Sequence, residues 1–466
     1  MYTYQDLKQI PDNDTARMDF VKKCIEDHKG SELYQMAEIA DEYDRHKNRT
    51  IREYQKVLYN VAGQAIPDEW TANYKMASKF FNRFITQENQ YLLGNGVTWQ
   101  NDTTAKRLGA DFDNKIQKLG KMALTGAVSF GFYNLDHIDA FSIREFVPIY
   151  DEENGALMAG VRFWQLKSDK PVRATFYEID GYTDYIWNTR ENEVGKVLHE
   201  KRPYVQKIRV SEADGIEIYD GENYPSLPIV PLWANPHHQS ELVGLREQID
   251  CYDLIKSGYA NNVDEGSLIY WTLNNAGGMS DVDLAQFVER MKKLHAATME
   301  DGVSAESHSM ESPYQSREAL LAKLRSDLYE DAMALDTKNI ADGAITATQI
   351  KAAYEPLNSK VDQYEYCVRD FLSGILKLIG IEDTPSFTRS QIVNNQEEIQ
   401  LVVSSASYLG DEYVTRKILT LLGDGDMADD IIKKAQADEL KRYSKEESEE
   451  DGSDDSEEDD QDDEEV

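Results

Sequence analysis

The sequence predicts an α+β protein that is mainly helical. Three observations predict this fold class. Apolar residues recur at helical spacing before residue 127 and again after residue 239, short alternating apolar runs fill residues 127–233, and 41% of the 466 residues are apolar. A chain of this length exceeds what one core usually organises, so we expect about two to four structural regions.

The residues before 127 are predicted to form helices. In residues 1–93, the helical stripe is clearest towards the end, and Leu92-Leu93-Gly94-Asn95-Gly96-Val97 then predicts a helix end with a left-handed glycine. A second helical region covers about 97–126. The residues of the two stripes are Phe80, Phe81, Phe84, Ile85, Tyr91 and Leu92, followed by Leu108, Phe112, Ile116, Leu119 and Leu124.

Residues 127–233 are predicted to form a twisted antiparallel sheet. Asn154-Gly155 and Asp180-Gly181 are typical hairpin turns, because these residue types tolerate positive φ. Pro228, Pro231 and Pro236 are expected to close the sheet and to break any further regular element.

Two helices that flank a small inserted module follow the sheet. The first is predicted over 240–262, with an apolar stripe. Residues 263–311 carry a strand-like run that includes Tyr270 and Trp271, then a helix start at Ser280 with Asp283 as its partner. The second helix is predicted to start at Ser312-Pro313 and to run to about Ala334.

A polar break over Asp336–Gly343 leads into the longest predicted helix, about Thr346–Ile379. Its apolar stripe is Ile350, Tyr354, Leu357, Val361, Tyr364, Val368, Phe371, Ile375 and Leu378. At 1.5 Å per residue this helix would be roughly 50 Å long, with a kink at Pro356. Two or three short helices should continue to about Lys441. The tail, residues 446–466, holds 15 acidic residues and no Lys or Arg, so it is predicted to be disordered.

The charge of the chain bears on its partners. The formal net charge is −36, and taking away the 15 acidic charges of the tail leaves −21 on the rest. An acidic body argues against a sequence-reading DNA binder, which needs a basic face to displace counterions. It remains compatible with a protein past which DNA slides.

Common catalytic and metal-binding signatures are missing. Gly120-Lys121 and Gly195-Lys196 lack the Ser or Thr that a phosphate-binding P-loop needs. Asp136-His137-Ile138-Asp139 is interpreted as a polar turn, and His237-His238 as an exposed loop, rather than as metal sites. The aromatic residues near Phe80 are interpreted as core. We therefore predict no catalytic residue, no metal and no cofactor.

Cysteine usage and hydropathy suggest a soluble protein made in a reducing compartment. Cys24, Cys251 and Cys367 lie far apart and predict no disulfide framework. The N-terminus has no features of a signal peptide. The most apolar window, Phe371–Ile381, is too short for a membrane span.

Four stretches of the chain resemble portal proteins of long-tailed phages that infect Gram-positive hosts. The similarity lies in their order and spacing across residues 30–440. The stretches are Asn82-Arg83-Phe84-Ile85 through Tyr91-Leu92-Leu93-Gly94, Gly126-Ala127 through Pro148-Ile149-Tyr150-Asp151, Ile229-Val230-Pro231-Leu232 through Ile249-Asp250-Cys251-Tyr252-Asp253, and Thr346-Ala347-Thr348-Gln349-Ile350-Lys351. The chain departs from many relatives at Ala344-Ile345-Thr346, where they have Ser-Gly.

This resemblance implies a portal fold with wing, stem, clip and crown regions in a dodecameric ring. The implied regions are a helical part and β-rich wing (1–239), a stem helix (240–262), a clip (263–312), a second stem helix (313–334), a tunnel loop (335–345), a long kinked wing helix (346–384), a crown (385–445) and the acidic tail (446–466).

The resemblance also implies site residues and partners. The residues expected to face DNA in the tunnel loop are Asp336, Thr337, Lys338, Asn339, Asp342 and Gly343, and those expected to dock the terminase through the clip are Tyr270, Trp271, Asn274 and Asn275. The implied partners are other copies of the chain, double-stranded DNA that passes without sequence preference, the terminase large subunit, head-completion or adaptor proteins, and major capsid and scaffolding proteins. No membrane is implied. The expected location is a capsid vertex of the virion, with assembly in the host cytoplasm.

Three other functions stay open at this point. One is a different structural protein of the phage head or neck, such as a minor capsid or adaptor protein. Another is a metal-dependent nuclease or hydrolase, which would need a cluster of acidic metal ligands. The third is a host cytosolic scaffold with a chaperone-like acidic tail.

Overall fold

The computed structural model describes most of the chain. The described residues are 2–59, 63–69, 71–188, 195–210, 217–266, 270–274, 280, 282–283, 285–287, 289, 304–308, 314–338, 347–390, 395–422 and 425–434. The chain divides into two compact units. Unit 1 is Met1–Asp336 with Glu355–Ser390, and unit 2 is Thr337–Tyr354 with Gln391–Val466.

The chain begins with four helices whose N-termini are capped by their own sequence. Thr3 forms a reciprocal capping box with Asp6, while Asn13, Ser31 and Asn48 each accept a backbone N–H with the side-chain oxygen. The helices are α1 (Tyr4–Lys8), α2 (Asp14–Gly30), α3 (Glu32–Asp44) and α4 (Arg49–Glu53). The predicted helical start of the chain is confirmed, but a hairpin of β1 (Val57–Tyr59) and β2 (Ala65–Pro67) follows α4.

Three helices and a short strand connect this region to the sheets. They are α5 (Phe80–Leu93), β3 (Val97–Thr98), α6 (Asp102–Leu108) and α7 (Phe112–Gly126). The predicted stripe of α5 is buried. The left-handed glycine is Gly96, with φ of 77°, whereas Gly94 stays right-handed. Strand β3 and the positive φ of Gly109 interrupt the helix predicted over 97–126.

The predicted antiparallel sheet is confirmed as two sheets and a hairpin. A five-stranded sheet has the order β10-β9-β8-β7-β6, a three-stranded sheet has the order β13-β4-β5, and β11 pairs with β12. The strands are β4 (Val128–Asn134), β5 (His137–Ser142), β6 (Phe146–Tyr150), β7 (Leu157–Trp164), β8 (Val172–Glu178), β9 (Gly181–Trp187), β10 (Lys196–Arg202), β11 (Val205–Val210), β12 (Glu217–Glu222) and β13 (Ile229–Trp233).

Two turn predictions need correction. Pro231 does not end the regular secondary structure but lies inside strand β13, opposite Phe130. Strand β13 is an edge strand, and an edge can hold a residue without an N–H donor. The β8–β9 turn is Ile179-Asp180, because Gly181 already pairs with Glu178. The Asn154-Gly155 turn is confirmed, with φ of 69° at Gly155.

Two apolar clusters hold the sheets. In the first, α2 packs Phe20, Val21 and Cys24 against the five-stranded sheet, where Val161 and Phe176 are fully buried. The second is rich in aromatic rings and joins the two sheets. Its buried members include Phe130, Phe132, Phe141, Phe146 and Tyr177. A Cβ at position 160 would lie 2.0 Å from the Phe146 ring, so this strand position requires glycine.

The two helices predicted around an inserted module are present with shifted ends. The first, α8, is Arg246–Gly266 rather than 240–262. Gly244, with φ of 85°, prevents an earlier start, and Ser240 caps a turn by accepting from Leu242 N at 3.2 Å. The second, α9, is Tyr314–Asp331. Between them, β14 (Tyr270–Asn274) pairs with β15 (Ser304–His308), and Ser280 and Asp283 form the predicted capping box.

The longest helix, α10, is Ala347–Ile379 and contains Pro356. Its predicted stripe is confirmed, since every member from Tyr354 to Leu378 is buried. Strand β16 (Ser386–Phe387) pairs with β3, so residues 386–390 pack within unit 1. Unit 2 contains α11 (Asn395–Ser404), α12 (Ala406–Leu409), α13 (Asp411–Leu422) and helical residues 428–434.

The α+β class is confirmed, with about half of the described residues in helices. Cys24, Cys251 and Cys367 are all free thiols. In the described part of the chain, no helix is long and apolar enough to cross a membrane. The predicted tail, 446–466, lies outside the described residues.

Candidate functional site

The candidate site is the end of α9 together with the first residues of the predicted tunnel loop. We call residues 329–336 the junction. The helix ends in a Schellman motif, because Ala334 N donates to Tyr329 O at 3.0 Å and Met333 N donates to Glu330 O at 3.0 Å. The left-handed position of this motif is Met333, with φ of 52°. A methionine there costs about 1 kcal/mol relative to glycine, so other contacts must fix the backbone.

Helix α5 supplies the most specific of these contacts. The carboxamide of Gln87 donates to Leu335 O at 3.1 Å and accepts from Leu335 N at 3.0 Å, as a neighbouring strand would. One turn earlier, Arg83 Nη1 donates to Tyr329 OH at 2.5 Å. Both side chains come from the same helix, so α5 holds the two ends of the junction.

Asp336 closes the junction from the other side. Its carboxylate accepts two hydrogen bonds from Arg325, at 2.6 and 2.8 Å, and the side chain is only 11% exposed. Paired guanidinium–carboxylate bonds fix both groups in one plane. That Asp336 faces DNA stays a prediction, and Arg325 balances its charge locally. Thr337 and Lys338 follow and are exposed, while Asn339, Asp342 and Gly343 lie outside the described residues.

A buried cluster of three charges, Glu88, Glu241 and Lys360, lies beside the junction. Lys360 Nζ is 2.9 Å from Glu88 Oε2 and 2.7 Å from Glu241 Oε2, and it also donates to Ala332 O at 3.3 Å. The cluster therefore links α5, the turn before α8 and α10 to the end of α9. We call it the triad.

The triad has an unusual proton balance. The pKa of Glu88 is raised to about 7. The largest cause is burial, because desolvation disfavours the charged carboxylate. The nearby Glu241 also raises this pKa, whereas Lys360 lowers it. Burial lowers the pKa of Lys360, but the two carboxylates outweigh burial and raise it above its ordinary value. With two carboxylates and one ammonium group, the triad carries one net negative charge unless Glu88 takes up a proton.

A cleft of about 360 Å³ borders the triad and the junction. Its lining includes Glu88, Lys360, Asp331, Met333 and His237. Lys360 already occupies the position that a cation between the two carboxylates would take. Within the described residues, no three His, Cys, Asp or Glu side chains come together as metal ligands. The triad is therefore suited to fixing the backbone at the end of α9 rather than to catalysis.

The structure places the predicted clip residues on one hairpin. Tyr270, Trp271 and Asn274 lie on β14 and pair with His308, Ser307 and Ser304 of β15. Asn275 lies outside the described residues. The docking role of this hairpin stays a prediction.

The segment Asp136-His137-Ile138-Asp139 was interpreted as a polar turn, but only Asp136 lies in the β4–β5 turn, since β5 begins at His137 and pairs with β4. His137 Nδ1 lies 2.8 Å from Asp136 Oδ1, and its ring is half exposed. His238 stacks on Trp233 with ring centroids 3.8 Å apart in an exposed loop. Phe80, Phe81, Phe84 and Tyr91 are buried, as expected for core residues.

Sequence reasoning did not identify Gln87, Arg325 or the triad. A weak signal existed for Glu88, which falls on the same helical stripe as Phe81, Phe84, Ile85 and Leu92. A carboxylate on a buried stripe needs a partner. The partner, Lys360, is far along the chain, and no spacing rule connects the two positions.

Comparisons with known proteins agree with this architecture. The family described as "Phage portal protein, SPP1 Gp6-like" matches residues 22–453. The portal protein of Bacillus phage SPP1 is 22% identical over 447 residues, covering 86% of this chain and 82% of the relative. The portal protein of Clostridium phage phiCD119 is 26% identical over 291 residues, covering 59% and 61%.

Chains of gene transfer agent particles are among the similar solved structures. A chain from the virion of a native gene transfer agent particle is 11% identical, and one from the neck of such a particle, computed with C12 symmetry, is 10% identical. Both cover 73% of this chain and 89% of their own length, each with a TM-score of 0.43.

The fold and the family match define a structural protein of a bacteriophage particle. The chain belongs to the SPP1 Gp6-like family of phage portal proteins. The resemblance inferred from the four sequence stretches is thereby confirmed, including its Gram-positive-host type, since both relatives come from phages of such hosts. The portal function is confirmed with it.

Proposed function

We propose that twelve copies of this chain close into a ring at one capsid vertex, and that double-stranded DNA enters and leaves the head through the central channel. The observation that carries the proposal is the order of elements after the sheets. Helices α8 and α9 flank the hairpin β14–β15, and a short segment after α9 leads into α10. In a portal protein this order supports a stem, a clip, a tunnel loop and a long wing helix.

The contacts between α8 and α9 support their role as one stem. Phe80 packs edge-on against Tyr252 of α8 and Tyr329 of α9, with ring centroids 5.0 and 6.1 Å apart. Gln248 of α8 also donates to Asp331 at the end of α9. The two helices are thus joined directly and through α5. In this assignment, residues 1–239 and α10 form the wing, and residues 385–445 form the crown.

The junction gives the tunnel loop a fixed base. Backbone and side-chain contacts hold residues 329–336, so movement of the loop as DNA passes is confined to the residues after Asp336. Gly343 is the residue that gives this segment most conformational freedom.

The charge of the chain is suited to a channel that does not trap DNA. Each cation fixed to a phosphate adds affinity through counterion release, so a densely basic bore would hold the duplex. A net charge of −36 acts in the opposite direction, over about 8 Å at physiological salt. Lys338 would provide transient contacts with DNA, and Asp342 would repel it.

The proposed partners follow from the assigned regions. The clip, with Tyr270, Trp271, Asn274 and Asn275, would dock the terminase large subunit during packaging and head-completion or adaptor proteins later. The wing and crown would contact major capsid and scaffolding proteins. Assembly would take place in the host cytoplasm, and the mature ring would lie in the virion. No catalytic residue, metal or cofactor is required for this passive role.

Ring formation is the first test of this proposal. Native mass spectrometry of the purified chain is expected to give a discrete assembly of twelve subunits, and negative-stain images are expected to show a central hole. A protein that stays monomeric at high concentration would contradict the proposal.

The second test concerns the loop. Lys338→Glu is expected to slow DNA packaging, because it replaces a transient phosphate contact with repulsion. Lys170→Glu, in the exposed β7–β8 turn, is the matched control and should package at the wild-type rate. Equal packaging rates for both variants would show that Lys338 does not contact DNA in the channel.

A further inference from the structure

The hairpin β1–β2 forms a two-stranded sheet of its own. Val57, Leu58 and Tyr59 pair with Pro67, Ile66 and Ala65, and all six residues are exposed. A two-stranded hairpin without a covering surface is at best marginally stable in water. We call the paired residues, 57–59 and 65–67, the arm.

Both faces of the arm are apolar. Val57 and Tyr59 lie on one face, with 48% and 72% of their surface exposed. Leu58 and Ile66 pair on the other face and are 42% and 45% exposed. Tyr54, which precedes the arm in the chain, and Tyr74 and Met76, which follow it, are exposed as well. Several large apolar side chains exposed on one hairpin are typical of an interaction site.

The chain that returns from the arm is fixed on α8. Three buried polar side chains of α8, each one turn apart, accept hydrogen bonds from alternate backbone N–H groups of an extended segment. Asp253 accepts from Ser78 at 2.9 Å, Ser257 accepts from Met76 at 3.0 Å, and Asn261 accepts from Tyr74 at 2.6 Å. We call residues 74–78 the strap.

The strap explains why α8 carries a stripe of buried polar residues, which the sequence analysis did not predict. Asp253, Ser257 and Asn261 are at most 5% exposed, whereas Tyr252 and Tyr259, both assigned to the apolar stripe of this helix, are half-buried. Asn48 Nδ2 donates to Asp253 Oδ2 at 2.9 Å, and Asp68 N donates to Lys56 O at 2.9 Å across the base of the arm. The base of the arm is therefore rigid, while its apolar strands have no cover within the described chain.

Charge indicates what covers the arm. Residues 57–67 contain no charged residue, although 29% of the chain is charged and the net charge is −36. Identical acidic subunits repel one another, so their contacts must come from uncharged apolar surface. The strap, which follows the arm in the chain, is fixed on α8, the first helix of the proposed stem. In the proposed ring the stem helices of neighbouring copies would lie side by side, so the arm would lie close to the next copy.

From these observations we infer that the arm is an inter-subunit contact that packs on the next copy of this chain in the ring. Each copy gives one arm and receives one, as a head-to-tail ring requires. The inference rests on the proposed ring. It assigns a role to a hairpin that lies outside the stem, clip, tunnel loop and crown.

The first test removes the apolar surface of the arm. The double variant Tyr59→Ser/Ile66→Ser of the full chain should raise the concentration needed for half-maximal ring assembly about tenfold or more. Leu166→Ser, a single exposed leucine in the β7–β8 turn that is 85% exposed, is the matched control and should leave that concentration unchanged. Near-UV circular dichroism of the dissociated chains checks that both variants keep the fold.

A second measurement detects the contact directly. A photo-crosslinking phenylalanine at position 59 should give covalent dimers and higher multimers on denaturing gels. Rings that form equally well from wild type and double variant, with crosslinks only within one chain, would overturn the role of the arm and leave the ring intact. A monomeric wild-type chain would overturn the ring and the arm together.

Discussion

Units 1 and 2 differ in how far their large apolar side chains are buried. In unit 1, stripes predicted from the sequence are buried, and Phe81, Phe130 and Phe371 are at most 2% exposed. In unit 2, the helices leave large apolar side chains exposed, such as Leu401 at 69% and Tyr408 at 90%. Among its described residues, the buried apolar ones are Tyr354, Val414, Ala428 and Ile432.

This difference indicates where each unit obtains its stability. Unit 1 covers its large apolar side chains, such as Phe130 and Phe176, with its own helices and strands. Unit 2 carries apolar surface that the described residues of one copy do not cover, which is typical of a region that packs in an assembly. In the proposed ring, neighbouring copies would supply the missing contacts.

The largest expected effect is in the core of unit 1. Phe371→Ala should lower the free energy of unfolding by about 3–5 kcal/mol, because a buried ring is lost next to Gly131 of β4. Leu401→Ala in unit 2 is the matched truncation and should cost less than about 0.5 kcal/mol in the dissociated chain. Urea unfolding measures both, and equal losses would contradict the contrast between the units.

A smaller effect is expected at the junction. Gln87→Leu leaves the backbone N–H and C=O of Leu335 without partners, at a cost of about 2 kcal/mol. Hydrogen exchange of the amide of Leu335 should accelerate, and packaging should slow if the loop needs a fixed base. Gln90→Leu, an exposed change on the same helix, is the control. Unchanged exchange at Leu335 in the Gln87 variant would show that Gln87 does not hold the junction.

The triad should make the stability of unit 1 depend on pH. Between about 4.5, the ordinary pKa, and about 7, the folded chain keeps a proton on Glu88 that the unfolded chain releases. The stabilisation is therefore complete below pH 4.5 and is lost as pH rises to 7. Relative to Glu88→Gln, the wild-type free energy of unfolding should fall by on the order of 2 kcal/mol across this range.

A control of opposite sign is available for this pH experiment. Arg49 holds the pKa of Glu42 below its ordinary value, so the contribution of Glu42 is present at neutral pH and is lost as pH falls below about 4.5. Glu42→Gln should therefore leave the slope between pH 4.5 and 7 unchanged. Parallel wild-type and Glu88→Gln curves over that range would show that Glu88 is ionised in the folded chain.

The smallest effect on the single chain is expected at the surface of unit 2. Tyr408→Ser should change the unfolding free energy of the dissociated chain by less than about 0.5 kcal/mol, yet it should weaken the ring. Tyr366→Ser changes a 70% exposed tyrosine of unit 1 in the same way. Thermal dissociation followed by native mass spectrometry compares the stability of the rings that the two variants form. A ring of unchanged stability with Tyr408→Ser would show that this surface stays uncovered.

Periodicity explains which parts of the fold were predictable. The stripe of α10 was predicted because a single helix repeats the same buried face from Tyr354 to Leu378. The start of α8 was missed because no spacing in the sequence indicates the left-handed backbone of Gly244. Pro231 was misread because its position on an edge strand depends on sheet order.

The candidate site was less predictable than the fold. Lys338 and its neighbours were identified from the polar break and the family resemblance, but the residues that hold the junction were not. Gln87 contacts Leu335 across 248 positions, and Arg325 contacts Asp336 through a chain reversal. The polar stripe of α8 was not identified, because the strap that satisfies it has no periodic signal of its own.

A cryo-EM reconstruction of the purified full-length chain tests the proposed channel most directly. We expect a closed ring in which the segment that begins at Thr337 lies nearest the rotation axis, with an opening that admits a DNA duplex. A ring with this segment on its outer surface, or particles without rotational symmetry, would contradict the proposed channel.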